Sequence, residues 1–306
     1  MKTFIAAKLR AAGKAQLDEA FKRLLSEKYI LAWIMRSCME EYCGSRPQLI
    51  VERYIEGTPQ VEEEPVYPDE APRIHRMSHK DSSMHEGTVR FTALTRSIGE
   101  PIRLIINLGV LNSYYPGYPI VTRALYNCNR LISSQYEGCY EKIKKVYSIW
   151  ICTNPPENRK NCIYRYRIAE NLFAGRTNVM EERHHYDMLT ALIFCLGQPE
   201  DRKVNNALDL LNSLFSERLT AKQKIKKLKE YDIPITQQLT EKVSLICSLS
   251  QENEERGIQK GIEKGICGAI DICRKLNLPE EEILQQIMQQ YELSEDIARE
   301  YLQKEE

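Results

Sequence analysis

The chain has 306 residues, of which 42% are hydrophobic, and its 43 basic side chains balance 43 acidic ones. This length suffices for one sizeable core with an appendage, and the balance argues against a polyanion-binding protein that is basic throughout. The apolar runs are far shorter than a membrane span, so we expect no membrane partner.

The first predicted element is a long amphipathic helix. Apolar residues recur with a helical period across residues 15–42, and Gly44 and Pro47 end the pattern. Residues 48–55 fit a short strand or a helix equally well. Residues 56–86 are rich in Pro, Glu and Asp and have no period, which predicts a long surface loop.

A β-hairpin is predicted next. Residues 88–94 alternate between apolar and polar side chains, and residues 102–108 form an apolar run of strand length. Gly99 and Pro101 lie between them and predict a turn, so the two strands should be antiparallel.

A strand–helix–strand unit follows the hairpin. Residues 120–136 have the apolar spacing of a helix, and residues 146–152 are a second buried strand. A strand, a helix and a strand in this order predict a crossover that places the second strand parallel to the first. Residues 164–168 fit an edge strand, and residues 189–196 fit a further strand or a buried helix.

Helical patterns dominate beyond residue 200. Thr220 and Gln223 fit a capping box, and residues 256–270 contain a repeat of the form Gly-Ile-x-Lys. The repeat puts its glycines on one stripe of a helix and its isoleucines on the next. One interpretation is self-association through closely packed helices, and the other is a linker helix that each glycine weakens by about 1 kcal/mol.

Two segments carry a resemblance to a known family. Residues 107–123, which include Tyr-Tyr-Pro-Gly-Tyr at 114–118, and residues 144–154 resemble the PD-(D/E)XK nuclease-family transposase proteins of the recombination-promoting type. The resemblance covers residues 17–196. It implies an α/β fold with a restriction-endonuclease-like αβββαβ core and a helical C-terminal extension, in which residues 48–55 would supply the first strand.

This resemblance also implies a domain division. We predict a nuclease-like domain over residues 1–200, interrupted by the surface loop at 56–86. A helical C-terminal region over residues 201–306 would carry the repeat at 256–270.

Active members of the family are Mg-dependent DNA endonucleases, and the resemblance implies that an Asp and a Glu-x-Gln hold their metal. Gly109 stands at the position of the Glu and Leu111 at that of the Gln. The residues 86–89 run directly into Arg90 and Phe91, without the few residues in which the resemblance implies the Asp. Neither glycine nor leucine offers an oxygen ligand through its side chain, so we expect no bound metal and no Mg cofactor in this chain.

Other polar side chains could replace the missing metal ligands or contact DNA. Glu86, Asp81 and Asn107 are the nearby side chains with oxygen atoms that could replace the lost ligands. The helix at 120–136 matches the family's pattern after the metal site, and its candidate DNA contacts are Arg123, Tyr126, Arg130 and Gln135. The alternative for Arg123 and Gln135 is that they bond the adjoining loop and helix ends. His75, His79 and His85 lack the companion ligands of a zinc site.

Three hypotheses for function follow. The first is a transposase-associated, nuclease-like protein whose catalytic site has degenerated. The second is a non-catalytic module that binds DNA through a basic face or forms a homo-oligomer through its C-terminal helices. The third is an active nuclease with relocated ligands. Ten cysteines without a Cys-x-x-Cys pair predict reduced thiols, mostly buried, and a cytoplasmic location.

Overall fold

A computed structural model describes residues 2–62, 88–94, 103–177 and 179–303 of the chain. It divides into two compact units, Met1–Ser248 and Leu249–Glu306. The boundary predicted at residue 200 lies inside the first unit. There a helix that begins at Asn206 packs against a helix that ends at Cys38, so residues beyond 200 contribute to the same core.

The helices and strands are numbered in chain order. The α-helices are α1 (Lys2–Leu25), α2 (Lys28–Cys38), α3 (Pro47–Arg53), α4 (Ile120–Ser133), α5 (Arg183–Tyr186), α6 (Asn206–Phe215), α7 (Ala221–Glu230), α8 (Gln237–Lys275), α9 (Glu280–Tyr291) and α10 (Glu295–Gln303). The strands are β1 (Gln60–Glu62), β2 (Thr88–Leu94), β3 (Arg103–Leu111), β4 (Val146–Cys152), β5 (Cys162–Arg167) and β6 (Leu189–Cys195). Short 3-10 helices lie at Glu40–Tyr42, Tyr140–Lys142 and Glu157–Arg159.

The strands form one six-stranded mixed sheet in the order β1-β2-β3-β4-β6-β5. The pairs β1–β2, β2–β3 and β5–β6 are antiparallel, and β3–β4 and β4–β6 are parallel. This confirms the hairpin of β2 with β3 and the parallel crossover through α4. It also identifies residues 189–195 as a strand and β5 as the edge strand beside it.

Helix α4 covers one face of the sheet. Its buried residues Ile120 and Ala124 pack with Trp150 of β4 and with Ile193 of β6 in one apolar cluster. Strands β4 and β6 are buried along their whole length, which is why their sequences are almost continuously apolar instead of alternating. Helix α1 lies against β2 and β3. The carboxyl ends of the parallel strands therefore meet the start of α4.

The structure decides between the two alternatives for residues 48–55 and corrects the prediction for the segment after them. Pro47–Arg53 is the helix α3, with Pro47 in its first turn, so these residues do not supply the first strand. The first strand is instead Gln60–Glu62, which lies in the segment predicted to be a loop. A segment of three residues is too short to show the alternation that predicts a strand. Gln60–Glu62 is a strand because it pairs with β2, and not because of its own β-propensity. Residues 63–87, the rest of that predicted loop, lie outside the described residues.

The predicted helix at 15–42 is also two helices. The chain is extended at Glu27, and the Ser26 hydroxyl donates a hydrogen bond to the Arg23 carbonyl at 2.8 Å. Serine side chains compete in this way with the backbone bonds that continue a helix. The break lets α2 turn into the core, where six consecutive residues, 30–35, are buried.

The second unit has a small core of its own. Ile266 and Ile270 of α8 pack against Ile283 and Ile287 of α9, and Tyr301 of α10 completes the cluster. None of the helices in the described ranges combines the length and the apolar character needed to cross a lipid bilayer.

Candidate functional site

Gly109 lies near the carboxyl end of β3, in register with Trp150 of β4. A Cβ atom at Gly109 would approach the Trp150 ring carbons Cζ3 and Cε3 to 2.7 and 2.9 Å, closer than real Cβ contacts. The indole ring therefore occupies the space into which any side chain at position 109 would project. The absence of a Cβ atom at Gly109 allows the ring to approach the backbone of β3 closely.

Trp150 is buried, with a relative exposure of 1%, and its polar atom is satisfied. The indole Nε1 donates a hydrogen bond to Ser148 Oγ at 2.9 Å. The guanidinium of Arg123, from the first turn of α4, lies 4.8 Å above the ring centroid and also donates a hydrogen bond to the Tyr118 hydroxyl. Arg123 therefore places a positive charge over an aromatic surface at this end of the sheet, an arrangement that is favourable by itself.

Leu111 lies two residues further along β3, on the same face. It is 4% exposed and belongs to the apolar cluster that α4 covers. Its carbonyl accepts a hydrogen bond from the Thr153 backbone N–H at 2.9 Å, which fixes the exit of β4 against the exit of β3. The position predicted for a second polar ligand is a core position in this chain.

The candidate substitute ligands are only partly described. Glu86 and Asp81 lie outside the described residues. The backbone of Asn107 pairs with Arg90 and Ser148 inside the sheet, but its side chain is not among the described ones. The fold brings one further acid to this region, because the backbone of Glu62 pairs with Thr88 at the start of β2.

Among the described side chains, one group of potential metal ligands has its ligand atoms within 4.8 Å of one another. It consists of Glu182, His184 and His185, all exposed. These residues are in or beside α5, which precedes β6 and therefore lies at the amino end of the parallel strands. They are not near Gly109, and His184 Nδ1 already contacts Glu182 at 3.2 Å.

The predicted DNA contacts on α4 have different environments. Tyr126 is 56% exposed, and the guanidinium of the half-buried Arg130 lies 5.7 Å from its ring centroid. Arg123 is half-buried over Trp150. The Gln135 amide accepts a hydrogen bond from Lys144 N at 2.8 Å and donates to the Lys144 carbonyl at 3.1 Å, thereby joining the end of α4 to the start of β4.

A second arginine–tyrosine group lies at the same end of the sheet and was not found from sequence. The Arg159 guanidinium is 4.7 Å from the Tyr114 ring centroid and 5.1 Å from that of Tyr164. Burial, with a smaller contribution from Tyr166, raises the pKa of Tyr114 to about 12. The neighbouring Tyr115 is 59% exposed. The tyrosine-rich segment at 114–118 was the only feature of the sequence that could have indicated this group. Its arginine partner, Arg159, is too far away in sequence to be found by pattern.

The amino end of the parallel strands holds an ionic network that sequence reasoning missed. Asp187 is 3% exposed and contacts Lys145 Nζ at 2.9 Å and Arg183 at 3.0 Å. Lys145 also contacts Glu41 at 3.1 Å, and the Tyr147 hydroxyl donates to Glu41 at 2.7 Å. Carboxylates therefore converge on the sheet, but at the end opposite Gly109.

Glu40 extends this network to the edge strand. Its carboxylate contacts Arg165, Arg167 and Arg183 at 2.9, 3.0 and 2.5 Å. The hydrogen bond from Arg183 lowers the pKa of Glu40. Arg183 also contacts Asp187, so three guanidinium groups share the two carboxylates of Glu40 and Asp187, and this edge of the sheet keeps one positive charge in excess. A groove of ≈ 560 Å³ lies between this edge and α4, and Leu125, Asn129 and Tyr166 are among its lining residues together with Arg165 and Arg167.

The described part of the chain is thus a mixed α/β protein with a six-stranded open sheet and a helical C-terminal unit. Neither a protein-family model, nor a curated protein, nor a solved structure matches it. The functional argument therefore depends on the site itself.

Proposed function

We propose that this chain is a PD-(D/E)XK nuclease-like, transposase-associated protein whose metal-dependent catalysis has been lost. The element order α3-β1-β2-β3-α4-β4, with an antiparallel β1–β2–β3 meander and β4 parallel to β3, supports the proposal. It is the αβββαβ order that the sequence resemblance implies.

The observation that carries the proposal is the packing of Trp150 on Gly109. Metal-assisted phosphodiester hydrolysis needs anionic oxygens that hold a divalent cation beside the substrate. At the position of the family's glutamate an indole ring fills the space, and the guanidinium of Arg123 lies above that ring. A fixed positive charge here repels a metal cation instead of binding it.

The test is a nicking assay on supercoiled plasmid with Mg²⁺ or Mn²⁺. We expect no metal-dependent nicking by the purified protein. The acids that could replace the lost ligands are tested with the variants Glu86→Ala, Asp81→Ala and Glu62→Ala. The matched control is Glu157→Ala, because Glu157 is 86% exposed on a surface turn. If the unchanged protein and the control nick plasmid and any of the first three variants does not, the hypothesis of relocated ligands is correct instead.

A second candidate function, a non-catalytic DNA-binding module, is favoured by a different observation. Arg165 and Arg167 line one side of the groove, and Asn129 of α4 lines the other. The exposed Tyr126 and the half-buried Arg130 lie beside Asn129 on α4. Positive charge with exposed aromatic rings suits a nucleic-acid backbone and unstacked bases.

This candidate is tested by fluorescence anisotropy of labelled DNA over a range of salt concentrations. Arg130→Gln and Arg167→Gln should each weaken binding and reduce its salt dependence, since each removes a phosphate contact. Arg299→Gln is the matched control, because Arg299 pairs only locally with Glu295 on α10. Glu40→Gln should strengthen binding, because it releases guanidinium groups. If all four variants bind like the unchanged protein, this surface is not the DNA site.

A further inference from the structure

Lys224 occupies a core position of α7. Its side chain is 2% exposed, and Leu228, one turn later on the same face of the helix, is fully buried. Lysine is rarely buried without a carboxylate partner, because its ammonium group loses hydration there. The ion pairs of α7 within the described residues belong to Lys227, which contacts Asp209 and Glu230, and none of them includes Lys224.

The side chain that faces Lys224 carries a thiol. Cys247 of α8 is the side-chain hydrogen-bond partner of the Lys224 amine. The same thiol donates a hydrogen bond to the Leu219 carbonyl, 3.8 Å from Sγ, just before α7 begins. Cys247 is half-buried, so a small reagent in the solvent can reach its sulfur. Two nucleophilic atoms from two different helices therefore lie side by side.

The surroundings of Lys224 favour its neutral form. Burial lowers the pKa of Lys224, and the contact with Cys247 and the charge of Glu217 oppose this shift only in part. A neutral amine has the free electron pair that an ammonium group lacks. A larger share of Lys224 than of an exposed lysine is therefore nucleophilic at the same pH.

We propose that Lys224 and Cys247 form a modification site, in which hydrogen peroxide joins the two side chains through a covalent sulfur–nitrogen bond. In the first step the Cys247 thiol reduces peroxide to water and becomes a sulfenic acid. In the second step the Lys224 amine attacks the sulfur with its electron pair. The sulfur–oxygen bond breaks, and the hydroxyl group leaves as water with a proton from the nitrogen. The product is a sulfenamide, which a thiol reductant opens again.

The bond links α7 to the first part of α8, and both residues lie in the first unit. It closes a loop over residues 224–247, which reduces the freedom of the unfolded chain as a disulfide does. This inference goes beyond either proposed function, because neither residue contacts Gly109 or lines the groove beside β5.

The test is peptide mass spectrometry of the full chain after titration with hydrogen peroxide. We expect a cross-linked pair of peptides that contains Lys224 and Cys247 and has two hydrogen atoms fewer than the separate peptides. It should disappear after reduction with dithiothreitol. Cys247→Ser and Lys224→Met should each abolish it, and methionine suits the buried position because it has a similar length without a charge. Lys222→Met is the matched control, because Lys222 is an exposed lysine on the same helix.

A second measurement uses dimedone, which labels sulfenic acids. In the unchanged protein Lys224 consumes the sulfenic acid of Cys247, so labelling there should be weak. In Lys224→Met it should rise several-fold, and circular dichroism checks that the variant is folded. Equal labelling of Cys247 in the two proteins overturns the proposal. So does a Cys247 that peroxide leaves as a free thiol, or one that is oxidised without a link to Lys224.

Discussion

The two ends of the parallel strands differ in the way they use charge. At the carboxyl end, Gly109, Trp150 and Leu111 form an apolar surface with Arg123 above it. At the amino end, buried Asp187 joins Lys145 and Arg183 in a network of ion pairs. A nuclease of the proposed family would need its carboxylates at the first end.

Carboxylates can hold segments of a chain together through ion pairs, or they can bind a metal ion. At the amino end, Glu41 and Asp187 face Lys145, and Glu40 faces three arginines, so these carboxylates hold segments of the chain together. Asp187 Oδ1 has no hydrogen-bond partner among the described residues. Among the described side chains at the carboxyl end, the Trp150 ring covers Gly109, and Leu111 belongs to the apolar cluster under α4. Acidic residues alone therefore do not indicate a catalytic site, since their partners decide what they do.

Asp187→Ala is expected to have the largest effect on the amino end. It leaves the half-buried Lys145 without its shorter ion pair, and removing one partner of a buried pair costs about 3–5 kcal/mol. Urea denaturation followed by circular dichroism measures the loss. Glu157→Ala removes an exposed pair and should change stability by less than about 1 kcal/mol. Equal effects of the two variants would mean that the network is only a surface feature.

Gly109→Ala tests the packing at the carboxyl end. The added methyl group meets the indole ring, and overpacking of this kind costs about 1–3 kcal/mol. In a Trp150→Leu background the same substitution should cost much less, because the ring is gone. Gly257→Ala is the control, since a Cβ atom there meets nothing within 4 Å and alanine favours a helix. Additive effects of Gly109→Ala and Trp150→Leu would contradict the proposed contact.

Gln135→Ala should lower stability by about 1–2 kcal/mol, because it removes the amide that bonds both backbone groups of Lys144. Under the DNA-binding hypothesis it should leave DNA affinity unchanged, whereas Arg130→Gln should weaken it. Denaturation and anisotropy on the same samples separate the two effects. A loss of DNA affinity without a loss of stability would make Gln135 a contact after all.

The smallest expected effect is a pH dependence from Glu40. Its folded pKa lies below the ordinary value because Arg183 donates a hydrogen bond to it. The stability that it contributes is therefore fully present above its unfolded pKa and is lost as the pH falls through the folded pKa. The stability difference between the unchanged protein and Glu40→Gln should be constant near neutral pH and shrink in acid. A difference that grows in acid would contradict this assignment.

Sequence predicted those parts of the fold that local patterns determine. The bounds of β4 and β2 were correct because Val146–Cys152 is a bounded apolar run and Thr88–Leu94 alternates. The capping box of Thr220 with Gln223 is present at the start of α7. By contrast, β1 owes its existence to pairing, and the break at Ser26 has neither glycine nor proline to mark it.

Sequence placed Gly109 and Leu111 at the positions where the resemblance implies a Glu and a Gln, but it did not give the residues that contact them. Trp150 lies 41 residues further along the chain. Its ring covers Gly109 only because of the register in which β3 pairs with β4. The network at the other end joins Glu40 to Arg165 and Arg183 over more than a hundred residues, a distance that no local pattern spans.

The link between α2 and the helices beyond residue 200 has a consequence for the history of this gene. The Trp33 indole N–H donates to the Tyr231 carbonyl at 3.0 Å, and the Asn205 amide donates to the Ser37 carbonyl at 3.2 Å. A gene rearrangement with its breakpoint near codon 200 would remove the helices that pack on α2, in which six consecutive residues are buried. Viable descendants of this gene should therefore exchange their termini downstream of codon 248, and chimaeras joined earlier should be recovered as insoluble products.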